Sequence, residues 1–70
     1  MSAADTDTKF TALALIYGKP DSGWLLTQNP LIPLAFRIAL EKVFEPEEVK
    51  RVGLRWFAYD YASWYERNRR

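Results

Sequence analysis

The sequence predicts a small α+β domain, a β-hairpin packed on two antiparallel helices, with an all-α domain of three to four helices as the alternative. Three observations carry this. Residues 9–17 alternate small with large side chains, residues 18–23 hold Gly, Pro, Asp and Gly in turn order, and the remainder shows helical spacing twice around the break at Glu45-Pro46.

Residues 1–8 are small, polar and acidic with no apolar period, so a disordered tail is expected ahead of a single domain over 9–70. As a strand, residues 9–17 would put Leu13, Leu15 and Tyr17 on one face, and residues 24–28 would return as its partner after the turn. The helical alternative takes Asp7 as N-cap, Gly18 as the residue just past the C-terminus and Pro20 as the stop. A ten-residue helix that apolar all round would need burial on every side, which favours the hairpin.

Asn29-Pro30 opens the next element, a helix expected to run to about Phe44 with Ile32, Phe36, Leu40 and Val43 or Phe44 on its apolar side and Arg37, Glu41 and Lys42 on the other, where Arg37 and Glu41 can pair weakly. The last element is expected as one helix over residues 46–68. Pro46 suits a first helical position, Glu47 and Glu48 suit the positive end of the dipole, and Arg67, Arg69 and Arg70 suit the other end. It carries two aromatic stripes: Val49, Val52, Trp56, Tyr59 and Ser63 form one, while Leu54, Phe57, Tyr61, Trp64 and Tyr65 form a second, broader one. One stripe can meet the core, and the other then needs cover. Gly53 in the interior points to a close approach or a local bend.

The chain has 70 residues, no cysteine and no histidine, which removes disulfides, thiolate and imidazole chemistry and the usual zinc ligands. Its core must come from three Trp, four Tyr and four Phe. A net charge of +1 exerts no general pull on nucleic acid or anionic lipid. No apolar run is long enough for a membrane span, and the first residues are acidic where a signal peptide would be basic, so a cytoplasmic protein is expected.

No catalytic residue, cofactor or metal site is expected. Gly18 and Gly23 have the spacing of a phosphate loop, but Trp24 stands where such a loop needs Lys. Glu45, Glu47 and Glu48 are explained by a helix N-terminus, and Ser2, Ser22 and Ser63 have no group to activate them. What remains is a binding surface. The expectation is a noncatalytic protein-binding module, an adaptor, regulator or inhibitor, that occupies a larger partner through Phe57, Tyr61, Trp64, Tyr65, Arg67, Arg69 and Arg70, with self-association through the same stripe. The alternative is a nucleic-acid-binding accessory protein that stacks bases on those aromatics and holds phosphates with those arginines. Asp60 falls between the stripes and is expected as a buried carboxylate tied to Arg37, Arg67 or a Tyr or Trp donor.

Overall fold

A computed structural model describes residues 3–25 and 31–68, and among them every regular element is helical. Helix α1 covers Ala3–Ile16, a 3₁₀ turn covers Ser22–Trp24, and helices α2, α3 and α4 cover Leu34–Val43, Pro46–Val52 and Leu54–Asn68. The expected α+β fold is therefore corrected to the all-α alternative. Residues 26–28 of the expected second strand, and the Asn29-Pro30 start of the next element, lie outside the described residues.

The size alternation of residues 9–17 misleads because it coincides with a helical set. Phe10, Leu13, Ala14 and Tyr17 recur at i, i+3, i+4 and i+7, and this is the side of α1 that meets the core. The opposite side tolerates exposure: Leu15 and Ile16 stand in solvent, so the burial demanded of an all-round apolar helix is not met. The helix also begins at Ala3, inside the segment expected as a tail, with Asp5 in its first turn favouring the dipole. Gly18 closes it at φ 96°, a backbone conformation that favours glycine.

Phe10 meets Phe44 at 5.8 Å between ring centroids, and Tyr17 meets Phe36 at 5.2 Å, so α1 and α2 run antiparallel. Phe36 with Tyr61 and Phe44 with Phe57 set α4 antiparallel to α2 in the same way. The 3₁₀ turn folds Trp24 into the end of this assembly, edge-on to Phe36 at 5.1 Å and stacked on Tyr17 at 6.0 Å. The core thus consists of a chain of touching rings, filled in by Leu13, Ala39, Leu40, Val49, Ala58 and Ala62.

Residues 46–68 do not form one helix. Gly53 takes φ 99° and ψ 138° and separates α3 from α4, although Gly53 N–H still reaches the Val49 carbonyl and Phe57 N–H the Gly53 carbonyl. The break changes the phase of the apolar stripe. Val49 faces the core, whereas Trp56, seven residues later, does not.

Candidate functional site

Helix α4 divides sharply around its axis. Phe57, Ala58, Tyr61, Ala62 and Trp64 are buried, and Leu54 and Tyr65 lie partly buried against them. The stripe expected to bind a partner is therefore the core stripe: Phe57, Tyr61 and Trp64 are unavailable as docking anchors, which is a correction to their expected role. Tyr61 is fully buried, and its hydroxyl donates to the Gly18 carbonyl at 2.5 Å. Burial, helped by Tyr65 and Tyr17, pushes its pKa up to about 12.

The outward face carries the other stripe. Trp56 is 63% exposed and Tyr59 42%, with ring centroids 6.4 Å apart and planes at 72°. Trp56 leans back over the chain break, its Cδ1 3.7 Å from where a Cβ on Gly53 would stand. At about 100° per residue Arg55, Asp60, Ser63, Glu66 and Arg67 share this side of α4 with the two rings. Arg67 donates from Nη1 to Ser63 Oγ at 2.9 Å, which fixes its guanidinium along the face. Of the arginines named from the sequence, Arg67 belongs here, and Arg69 and Arg70 lie outside the described residues.

Asp60, expected to be buried, is exposed on this face. Partial desolvation holds its carboxyl above the usual carboxylate range, and Arg67 acts in the opposite direction. The helical spacing that placed Asp60 between the stripes is real, but the break at Gly53 turns that azimuth outward.

A shallow pocket of about 80 Å³ lies on the other side, lined by Ala14, Trp64, Tyr65 and Asn68. It is well below the ~300 to 1,000 Å³ that small-molecule sites occupy. Among the described residues no group of three or more Asp or Glu gathers as a metal site, and no helix is long and apolar enough to cross a membrane. Comparison with protein families, curated proteins and solved structures finds no match to this chain.

Sequence reasoning named Tyr65 and Arg67 but missed Trp56 and Tyr59 as the exposed aromatics. The signal was present in their neighbours. Ala58 and Ala62 flank Phe57, Tyr61 and Trp64 and let another helix approach, while Arg55, Asp60, Ser63, Glu66 and Arg67 flank Trp56 and Tyr59.

Proposed function

We propose that this chain is a noncatalytic protein-binding module of the cytoplasm that docks on a larger protein through the outward face of α4, as an adaptor, regulator or inhibitor. Trp56 and Tyr59 are the anchors. Arg55 and Arg67 form the rim. The observation that carries the reading is the exposure of Trp56 on a regular helix while Trp24 and Trp64 are buried. Burying even ~150 Å² of such a ring in a partner contributes about 4 kcal/mol before association costs, the behaviour of an interface hot spot.

Single-stranded nucleic acid is the second reading, favoured by the two arginines that bracket the rings. Two features weigh against it. Asp60 and Glu66 share the face and repel phosphate, and rings at 72° do not offer a common stacking plane.

The test is capture of partners from host lysate by the wild type and by Trp56→Ala, followed by titration of the purified partner at rising salt. A protein whose binding needs Trp56 and Tyr59 and keeps most of its affinity in salt supports the module. Capture of nucleic acid, with affinity falling steeply with salt and lost on Arg55→Ala and Arg67→Ala, overturns it.

A further inference from the structure

The turn at Gly53 interrupts a helix whose register is intact on both sides. Gly53 N–H donates to the Val49 carbonyl at 2.8 Å, and Phe57 N–H donates to the Gly53 carbonyl at 3.1 Å, both bonds of helical spacing. Only the two dihedrals of one residue, φ 99° and ψ 138°, separate α3 from α4. The break forgoes the bonds that Leu54, Arg55 and Trp56 would send back to residues 50–52 in a continuous helix. The charges, too, suit one helix better than two. Pro46, Glu47 and Glu48 open α3 and Arg67 closes α4, whereas α4 by itself begins beside Arg55 and has no acid in its first turn. Arg51 and Arg55 would stand four apart in the continuous helix and repel, a small opposition between exposed and screened charges.

What bends the chain at Gly53 is the packing of α4 on the residues ahead of the turn. Phe57 meets Phe44 at 4.7 Å between ring centroids, Tyr61 meets Phe10 and Phe36 at 5.7 Å, and Trp64 meets Phe10 at 5.8 Å. The Tyr61 hydroxyl donates to the Gly18 carbonyl. Each of these contacts joins residues 54–68 to residues 3–44, and none requires its two residues to belong to the same molecule. Helix α3 is held to the first part separately, through buried Val49 and its packing on α2.

We propose that two copies of the chain exchange α4: Gly53 straightens, residues 46–68 become one helix, and each α4 docks on α1, α2 and α3 of the other copy through the contacts it makes in the monomer. The packing names the occupant, because the surface that one α4 leaves is already complementary to a second α4. The ring contacts and the Tyr61 bond are all remade. Each hinge gains the missing helical bonds and is released from a backbone conformation that favours glycine alone. Association entropy opposes the exchange, so the monomer prevails when dilute and the dimer grows with concentration. Since α4 must leave the core to change partner, the two forms interconvert no faster than the protein unfolds.

Sedimentation of the full chain, refolded from denaturant at micromolar and at near-millimolar concentration, tests the proposal. A dimer is expected from the concentrated sample, persisting on dilution for as long as unfolding takes and absent after refolding in dilute solution. Gly53→Ala should strengthen dimerisation roughly tenfold or more, since alanine disfavours the turn and favours the helix. A Gly-Ser linker inserted after Gly53 lets α4 fold back without strain and should leave a monomer, which keeps the test decisive if Gly53→Ala does not fold. Dimers refolded from mixed isotope-labelled and unlabelled chains should show the Phe44–Phe57 and Phe10–Tyr61 contacts between molecules by isotope-filtered NMR. A wild type that is monomeric after concentrated refolding overturns the proposal whatever the variants do. So does a dimer whose Phe44–Phe57 contact stays within one molecule, one that folded Gly53→Ala does not strengthen, or one that the linker leaves intact.

Discussion

The Tyr61 hydroxyl and the Gly18 carbonyl, 43 residues apart in sequence, share a hydrogen bond of 2.5 Å that ties the middle of α4 to the end of α1. Phe10, Phe36, Trp64 and Tyr65 surround the same ring, so one side chain joins three helices. Tyr61→Phe keeps the ring and strands the carbonyl. A loss of about 0.5 to 1.5 kcal/mol is expected, read from the urea midpoint at constant slope. An unchanged midpoint would remove the tie from the account of stability.

The same residue sets an alkaline limit. Its pKa is raised from the ordinary tyrosine value of 10.0 to about 12, so between those values the unfolded chain gives up the proton and the folded one keeps it. The contribution is complete below about pH 10 and is lost as the pH rises toward 12. Wild type should therefore lose about 2 to 3 kcal/mol more than Tyr61→Phe over that window. Denaturation of the two proteins side by side at pH 9 and at the alkaline end measures the difference, and parallel losses would contradict the burial of this hydroxyl.

Gly53 marks where sequence reasoning stopped short. Caps and spacing made both halves of residues 46–68 legible: Pro46 does open α3, and residues 54–68 do carry an amphipathic helix. Nothing in that spacing states that the chain turns at Gly53 to φ 99°, which re-phases every azimuth downstream and decides which aromatic stripe is buried. The hairpin expectation failed for a related reason. Ala12 and Ala14 alternate with Leu13 and Leu15 in a strand-like pattern, and only the rings of Phe44, Tyr61 and Trp64 waiting for Phe10 make the helical reading win. In both places the deciding information is a contact between distant residues, not a local preference.

Gly53→Ala follows from that turn. A Cβ has room, with Trp56 Cδ1 at 3.7 Å as ordinary contact, so the cost is conformational. A loss of about 1 to 3 kcal/mol is expected because an L side chain rarely adopts this backbone. Thermal denaturation reads it. A stabilised variant would mean that α3 and α4 fuse into the continuous helix that spacing alone suggests.

Asp60 offers a test of exposure. A buried, tied carboxylate would cost ~1 to 3 kcal/mol to remove. On the outward face it should cost less than about 0.5 kcal/mol. The sign sharpens the expectation. Its pKa is raised by partial desolvation, so its contribution is fully present in acid and declines as the pH rises through the folded value. Asp60→Asn should accordingly be neutral or slightly stabilising at pH 7, and a marked loss there would return the carboxylate to an internal role.

Trp56 and Trp64 stand eight residues apart on α4, one exposed and one buried, and substituting them separates binding from folding. Trp64 is stacked on Tyr61 at 6.1 Å and touches Phe10 at 5.8 Å, so Trp64→Ala opens a cavity in the ring cluster and should cost about 3 to 5 kcal/mol. In a domain this small such a loss removes most of the stability. Trp56 touches Tyr59 edge-on and leans on Gly53, so Trp56→Ala should move the denaturation midpoint by no more than the equivalent of about 0.5 kcal/mol. Iodide supplies an independent check, since it quenches exposed indoles far more than buried ones. Most of the quenchable emission of the wild type should vanish in Trp56→Phe, and a bound partner should protect it. If Trp56→Ala unfolds the protein while Trp64→Ala does not, the two stripes of α4 have exchanged places, and the docking face moves with them.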